Sequence, residues 1–497
     1  MAAYKRSKTG RGRDNSPRKP ARLEEPKDTS RAKMVLVMCF VGLVWLALWY
    51  RAADVQLIQG PELAEKAWGQ HRTSEVIRAE RGRIYDREGR LLATSVEFTS
   101  VWANPLAVKD VDNTARTLAE ILRVPVERIR KKLSTRESYV WIARHVGDPV
   151  AAQVRQAELP GVDLTTEYGR QYPNRELAGR LIGFVGVDET GLEGLEASFD
   201  EHLSGRPAKY IVQRDASGHI LYLDAETLEA SVRGRDLGLT IDAQIQFIAE
   251  KALGEAVEQY SAVWGGCLVV EVATGKVLAW AESPGFNPNA YSKYEPRQWR
   301  NRIAMDLFEP GSVAKPLVVA AALQEEVVDR ETLFFCENGK WSYASETIRD
   351  VGSYAWLPVH KIVRYSSNIG VAKLALEVGP DSLHRYFTAL GFAEKVGLPF
   401  MGEAKGLLRL PGEWDGMDTA AAGFGQGFAI SMAQLARAYL CLANEGVLKP
   451  LVLVSDPVLP QAQERRVFEP EIARQVMDML REVVEEGVQE TVDLLNE

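Results

Sequence analysis

The stretch FEPGSVAKPLVV, residues 308–319, places a serine three positions before a lysine at the predicted start of a helix. The triplet EPG breaks regular structure immediately before the serine, and the run LVVAAAL that follows is apolar on every side. A helix that is apolar all round is typical of a protein interior. Ser312 and Lys315 stand at spacing i, i+3, so both side chains lie on one face of that helix.

This spacing has two interpretations. In one, burial and the positive end of the helix lower the pKa of Lys315 from about 10.4, and the neutral amine takes the proton of Ser312. Free N–H groups at the helix start would then stabilise an oxyanion. In the other, Ser312 caps the helix and Lys315 is a surface residue. The spacing alone does not decide, since Ser16–Lys19 and Ser30–Lys33 repeat it in the polar N-terminal segment.

A second motif follows at the head of another apolar stretch, in YSSNIGVAKLAL. Ser366, Ser367 and Asn368 occupy a predicted helix start, where such residues usually act as caps. The order S-x-x-K and then S-x-N is also that of the β-lactamases and penicillin-binding proteins, whose serine is a nucleophile. The pair of motifs therefore favours a nucleophilic Ser312 over a capping one.

The sequence around these motifs predicts a domain of both helices and strands. Residues 237–260 predict a strand and then an amphipathic helix that Asp242 initiates, and residues 265–283 predict a hairpin about the turn 273–276. Several helices follow, ending with the run EPEIARQVMDMLREVVEEG. This order indicates an antiparallel sheet packed with helices. Further toward the N-terminus, residues 81–95 predict a hairpin about DREG.

The N-terminus predicts a membrane anchor. Residues 34–50, MVLVMCFVGLVWLALWY, contain no charge and would span about 25 Å as a helix, which with Ala52 and Ala53 just crosses a bilayer. A buried core helix would show a polar face, and a cleaved signal peptide would have a shorter basic region and a small-residue cleavage site. Residues 1–33 hold 11 Lys and Arg against 4 Asp and Glu, so they predict a disordered cytoplasmic tail, with the chain beyond the anchor outside the cytoplasm.

Composition limits the other possibilities. The 497 residues carry a net charge of −8, the basic excess lies in the tail, and the membrane segment beside it argues against a nucleic-acid arm. Cys39, Cys267, Cys336 and Cys441 are widely separated and form no CxxC pair, and the six histidines form no HExxH motif. No metal site and no cofactor are therefore predicted.

Longer blocks extend the resemblance to one family. RGRIYDREGRLLA, RQYPNRELAGRLIGFVG and GLEGLEASFDEHLSG resemble the three pedestal motifs of class B penicillin-binding proteins, the membrane-anchored D,D-transpeptidases that cross-link peptidoglycan. LGLTIDAQIQ resembles the entry to their transpeptidase domain, and GFGQGFAISMAQLARAY resembles a later block. The basic tail, the single anchor and RAADVQLIQG are most similar to the division-type, FtsI-like members.

The resemblance implies a role for each motif residue. Ser312 would be acylated by the D-Ala-D-Ala end of a stem peptide or by a β-lactam, with Lys315 as the general base. Ser366 would pass a proton to the leaving amine, and Asn368 would hold the peptide amide. The resemblance also implies a single-pass protein of the bacterial inner membrane. It would act in septal cell-wall synthesis beside an FtsW-like glycosyltransferase and other division proteins, and would bind no nucleic acid.

The implied fold class is α+β, in four segments. These are a basic disordered tail (1–33), a transmembrane anchor (34–53), an elongated non-catalytic pedestal (54–225) and a penicillin-binding/β-lactamase-like transpeptidase domain (226–497). The last segment would be an antiparallel sheet with helices on both faces.

One family motif is missing from its expected place. A K-T-G or K-S-G strand should follow the last helix, but after REVVEEG the sequence continues as VQETVDLLNE, and the K-T-G at residues 8–10 lies in the tail. The transpeptidase domain is therefore expected to be C-terminally incomplete. One alternative is an inactive homologue that serves as a division scaffold. Another is a membrane-tethered β-lactamase or β-lactam sensor, which the long pedestal disfavours.

Overall fold

The computed structural model describes residues 29–59, 72–77, 79–205, 208–214, 220–223, 233–455 and 463–496. Most of the predicted tail, residues 1–28, lies outside these ranges. The chain divides into two compact units, residues 1–75 with 211–224 and residues 76–210 with 225–497.

The described strands, numbered in chain order, are β1 Arg72–Ile77, β2 Ile84–Tyr85, β3 Leu91–Ala103, β4 Val140–Val146, β5 Val162–Gln171, β6 Phe184–Val185, β7 Gly191–Glu193, β8 Ala208–Arg214, β9 Ile220–Leu223, β10 Leu237–Gly238, β11 Gly265–Val270, β12 Val277–Ser283, β13 Leu333–Phe335, β14 Lys340–Tyr343, β15 Glu346–Arg349, β16 Trp356–Pro358, β17 Val447–Leu448 and β18 Arg465–Arg466. The described α-helices are α1 Thr29–Ala53, α2 Val111–Leu122, α3 Val126–Leu133, α4 Asp148–Gln156, α5 Gly179–Ile182, α6 Gly194–Ser198, α7 Asp200–Leu203, α8 Ala243–Gln259, α9 Pro296–Trp299, α10 Arg302–Met305, α11 Lys315–Gln324, α12 Val359–Arg364, α13 Asn368–Val378, α14 Pro380–Ala389, α15 Gly416–Gly423, α16 Met432–Ala443 and α17 Pro470–Asn496.

Helix α1 forms the N-terminal part of the first unit. It begins at Thr29, so the prediction of a disordered tail is wrong over residues 29–33, where Ser, Arg, Ala and Lys extend the helix outward from the apolar segment. Residues Lys33–Gln56 are long and apolar enough to cross a membrane, and their described side chains are mostly exposed. Strands β1, β8 and β9 form a three-stranded sheet in that order.

The pedestal is built on a five-stranded sheet in which β3 is the long central strand. β10, β2, β3 and β4 follow one another across the sheet, and β5 also pairs with β3. The β2–β3 pair confirms the hairpin predicted over residues 81–95, with Ile84 opposite Ala93. Helices α2, α3 and α4 pack with β3, β4 and β5 around a buried apolar core. Strand β10 follows the predicted domain boundary at residue 226, yet it pairs in parallel with β2 of the pedestal.

The three predicted pedestal motifs meet in one buried ion cluster. Glu196, fully buried on α6, accepts hydrogen bonds from Arg81 Nε at 2.7 Å and from Arg170 Nε at 2.6 Å. Asp200 on α7 accepts another, from Arg81 Nη1 at 2.6 Å. Arg81 belongs to the motif nearest the N-terminus, Arg170 to the next and both carboxylates to the last. Because isolated charges are costly to bury, this pairing lets both guanidinium groups lie inside the protein.

A single apolar core joins the pedestal to the transpeptidase domain. Phe184 and Leu195 of the pedestal pack in the same buried cluster as Trp280 of β12. A buried ion pair spans the same junction, since Arg180 Nη1 donates to Glu282 Oε2 at 2.9 Å. The pedestal and the transpeptidase domain therefore share both apolar and polar contacts.

The transpeptidase domain begins with the elements that the sequence predicts. Asp242 caps α8 by accepting the N–H of Gln244 at 2.9 Å, and β11 and β12 form the predicted antiparallel hairpin. Gly265 faces α8, whereas Gly266 faces Met432 of α16, so helices cover both faces of the hairpin. Among the described strands, β11 pairs only with β12.

Helix α11 is the central helix of the domain. Every residue from Lys315 to Leu323 is buried, as the all-round apolar pattern predicts. Helices α12, α13, α14 and α17 contact it and share its apolar core. This arrangement places the N-terminus of α11, with Ser312 just before it, at the edge of a rigid helical core.

Candidate active site

Ser312 lies on a 3-10 turn, Gly311–Ala314, that leads directly into α11. The serine thus stands at the start of the helix, as predicted, but in a 3-10 turn, and the cause of that turn is local. Pro316 has no N–H and cannot make the α-helical bond to the Ser312 carbonyl, which accepts the Lys315 N–H three residues on instead. Because a 3-10 helix has three residues per turn, Ser312 and Lys315 still share one face.

The Ser312 side chain is exposed, and within the described residues its hydroxyl has no hydrogen-bond partner. It therefore does not act as a helix cap. Lys315 is only 2% exposed, so it is not a surface lysine either. The structure thus contradicts the capping interpretation on both residues.

Lys315 joins the two predicted motifs. Its Nζ donates to Ser366 Oγ at 2.9 Å, to the Ser366 carbonyl at 2.5 Å and to Asn368 Oδ1 at 2.7 Å. Three of the four predicted site residues are therefore in direct contact, and the fourth, Ser312, lies one 3-10 turn away with its hydroxyl unpaired.

Burial determines the charge state of this lysine. Desolvation lowers the pKa of Lys315 from 10.5 to about 8, and the opposing effect is the negative charge of Asp350. A neutral amine has two N–H groups. It can donate both of them to the carbonyl oxygens of Ser366 and Asn368, because these oxygens act only as hydrogen-bond acceptors. Its lone pair is then available to a serine hydroxyl.

The second motif owes its position to residues that the sequence analysis missed. Ser367 caps α13, and its hydroxyl donates to Asp350 Oδ2 at 2.6 Å. Asp350 Oδ1 also accepts the Ile369 N–H at 3.0 Å, and Asn368 Nδ2 donates to the Arg349 carbonyl at 2.9 Å. The β14–β15 hairpin brings Arg349 and Asp350 to this helix start, and no local pattern around residue 350 indicates it.

A glycine-rich loop fixes the nucleophile turn from the other side. The Gly311 N–H donates to the Gly425 carbonyl at 2.9 Å, and the Gly427 N–H donates to Glu309 Oε1 at 2.9 Å. This loop belongs to the later block GFGQGFAISMAQLARAY, for which the sequence analysis predicted no role. The described residues contain no cluster of His, Cys, Asp and Glu that could hold a metal ion. An exposed serine beside a buried amine of lowered pKa is suited to acyl transfer.

Comparison with known proteins decides the family. The model of the penicillin-binding protein dimerisation domain matches residues 76–239, and that of the penicillin-binding protein transpeptidase domain matches residues 265–494. The chain is 33% identical over 477 residues to the peptidoglycan D,D-transpeptidase FtsI of Escherichia coli K12, covering 94% of this chain and 80% of FtsI. The chain belongs to the class B penicillin-binding proteins.

Other relatives agree with this assignment. This class B penicillin-binding protein is also 33% identical over 463 residues to a probable peptidoglycan D,D-transpeptidase, PenA, of Neisseria meningitidis, covering 92% of this chain and 79% of PenA. The crystal structure of a peptidoglycan synthetase from Bifidobacterium adolescentis superposes with a TM-score of 0.63 at 25% identity, covering 83% of this chain and 82% of that one. The penicillin-binding protein is thus of the FtsI type, and it spans about four fifths of these sequence relatives.

Proposed function

We propose that this penicillin-binding protein is a peptidoglycan D,D-transpeptidase with Ser312 as its nucleophile. One observation carries the proposal: buried Lys315 contacts Ser366 Oγ at 2.9 Å and Asn368 Oδ1 at 2.7 Å, one 3-10 turn from an exposed serine. The activities stated in the names of FtsI and PenA support it.

The reaction has two halves. Ser312 Oγ bonds to the carbonyl carbon of the penultimate D-alanine of a stem peptide while Lys315 takes the hydroxyl proton. The bond from that carbon to the nitrogen of the last D-alanine breaks, and the proton passes through Ser366 to the leaving amine, while Asn368 holds the peptide amide. An amine of a neighbouring stem peptide then attacks the ester, a peptide bond forms and Ser312 regains its proton. A β-lactam would acylate the same oxygen.

The apolar helix α1 supports a location at the bacterial inner membrane. We propose a single-pass topology in which residues 1–28 are cytoplasmic, because the segment before α1 is rich in Lys and Arg. The pedestal and the transpeptidase domain would then face the periplasm, where the stem peptides are. Septal partners such as an FtsW-like glycosyltransferase are part of this proposal, and they rest on the resemblance of the sequence to division-type members.

Labelling with a fluorescent penicillin tests the proposal. In the full chain, held in membranes, we expect a covalent fluorescent band that Ser312→Ala removes, because the reacting oxygen is absent. Ser261→Ala, at an exposed position after α8, is the matched control and should label like the parent chain. A folded parent chain that takes no label, or a Ser312→Ala variant that still does, would contradict the proposal.

The rate of this labelling should rise with pH. Lys315 can act as a base only when it is neutral, and burial lowers its pKa to about 8. The rate should therefore be roughly 1% of its plateau at pH 6 and about half of it at pH 8. Stopped-time labelling between pH 6 and 9.5 measures the midpoint. A rate that is independent of pH, or that falls as pH rises, would exclude Lys315 as the base.

A further inference from the structure

Tyr439 lies outside the residues discussed so far, yet it contacts the nucleophile turn directly. Its hydroxyl donates to the carbonyl oxygen of Val313, the residue after Ser312, at 2.8 Å. Tyr439 is on α16, so this bond joins the turn to a helix far along the sequence. Desolvation raises the pKa of Tyr439 to about 12, and the phenol therefore remains a donor at neutral pH.

The local sequence leaves the Val313 carbonyl without a 3-10 hydrogen-bond partner. In a 3-10 pattern it would accept the N–H of the residue three positions on, but that residue is Pro316. The Tyr439 hydroxyl supplies the hydrogen that Pro316 lacks.

Helix α16 holds this donor in a fixed place. Ser431 and Gln434 form a capping box at its start. The Gln434 side-chain amide also donates to the Gly391 carbonyl at 2.8 Å and to the Glu394 carbonyl at 2.9 Å. Because these bonds tie the helix to a neighbouring segment, the phenol of Tyr439 has little freedom to follow a displaced turn.

The other attachment of the turn is a contact between two backbones. Gly425 has a φ of +78°, and a Cβ there would lie 2.1 Å from the Gly311 carbonyl oxygen. Together with the Gly311 N–H bond to Gly425, this close approach fixes the backbone before Ser312. The Tyr439 bond fixes the backbone after it, so the nucleophile lies between two attachments from one block of sequence.

We propose that Tyr439 is a positioning residue for the acylation of Ser312, an inference that rests on the proposed function of that serine. The hydroxyl holds Val313, and thereby keeps the Ser312 oxygen in place relative to Lys315 and the substrate carbonyl. Without it, the bonds at Gly311 and Glu309 hold the backbone before Ser312, but the bond to α16 after it is lost, and Ser312 moves more widely. Removal of the hydroxyl therefore lowers the rate at which Ser312 bonds to the substrate carbonyl. It leaves the affinity for the substrate unchanged, because Tyr439 acts through the backbone.

Tyr439→Phe in the full chain tests this role by removing one oxygen atom. At saturating fluorescent penicillin we expect the acylation rate to fall about tenfold to a hundredfold. This is the effect expected when the reacting oxygen of Ser312 is displaced by about 1 Å. The penicillin concentration for half-maximal rate and the midpoint of the pH profile should stay the same. Equal rates in Tyr439→Phe and the parent chain would overturn the proposal.

A matched control separates positioning from general packing. The Tyr386 hydroxyl donates to Glu325 at 2.7 Å, just beyond the other end of α11. Tyr386→Phe removes a comparable bond and should acylate like the parent chain. If it slowed acylation as much as Tyr439→Phe, the effect would belong to helix stability and the positioning role would be wrong.

A second measurement distinguishes failure of this inference from failure of the proposed function. In a Ser312→Cys background, the thiol at position 312 is alkylated with iodoacetamide and followed by peptide mass spectrometry, without any β-lactam. Adding Tyr439→Phe should slow alkylation about threefold or more at pH 7.5, since a displaced thiol loses the nearby Lys315 cation that favours the thiolate. An unlabelled parent chain would refute the proposed function alone. Equal alkylation rates would refute the positioning role.

Discussion

Replacing Lys315 by methionine is expected to lower the rate of Ser312 acylation by about 10²–10⁴-fold, the usual contribution of a general base. Methionine is nearly as long as lysine and apolar, and the site is only 2% exposed, so the substitution keeps the volume without burying an amine. The substitution also removes the amine that donates to the Ser366 carbonyl and to Asn368 Oδ1. Each acceptor left unpaired should lower the free energy of unfolding by about 1–3 kcal/mol. Thermal unfolding should therefore be measured beside the acylation rate.

Lys373 provides the matched control for this experiment. It lies on α13, where its Nζ donates to the Phe335 carbonyl and to Glu337 Oε1, both at 2.7 Å. Lys373→Met removes a half-buried lysine of the same domain that does not contact the Ser366 hydroxyl. It should acylate at nearly the parent rate. Acylation of Lys315→Met at the parent rate, in a folded chain, would mean that another group takes the Ser312 proton.

Glu196→Gln is expected to lower the free energy of unfolding by about 3–5 kcal/mol, the usual effect of breaking a buried ion pair. Glutamine keeps the shape of the side chain but removes the negative charge between Arg81 and Arg170. Arg81 retains Asp200 as a partner, whereas Arg170 forms an ion pair only with Glu196 among the described residues. The buried guanidinium of Arg170 then loses its ion pair.

Urea unfolding of the full chain, followed by circular dichroism, measures this change. Glu201→Gln is the control, because Glu201 lies close by on α7 but is exposed, and its substitution should change stability by less than about 0.5 kcal/mol. If Glu196→Gln unfolded at the parent urea concentration, the ion cluster would make no net contribution to stability.

Local sequence predicts those parts of the fold that neighbouring residues determine. The cap at Asp242, the hairpin of β11 and β12, and the helix start at Ser367 all follow from residues within one turn of the feature itself. The sequence also contains a signal for where the α-helix after Ser312 begins. Proline is common in the first turn of a helix, so Pro316 indicates that the α-helix starts just before it.

The remainder depends on contacts between distant segments. Asp350 reaches Ser367 through a hairpin, and Tyr439 reaches Val313 from a helix that begins more than a hundred residues later. The convergence of Arg81, Arg170 and Glu196 likewise requires the pedestal to be folded. Each of these side chains is individually unremarkable in the sequence, since a lone Asp, Tyr or Arg has many possible partners. Only the three-dimensional arrangement selects one.

The apolar core that the pedestal shares with the transpeptidase domain has a consequence for antibiotic susceptibility. Phe184 and Leu195 pack in the same cluster as Trp280 of β12 and Leu440 of α16, the helix whose Tyr439 contacts the turn at Ser312. A substitution in the pedestal that loosens this cluster would alter the scaffold beneath the β-lactam site. Variants with reduced drug sensitivity can therefore arise in a part of the chain that never touches the drug, and genotyping confined to the transpeptidase domain would overlook them.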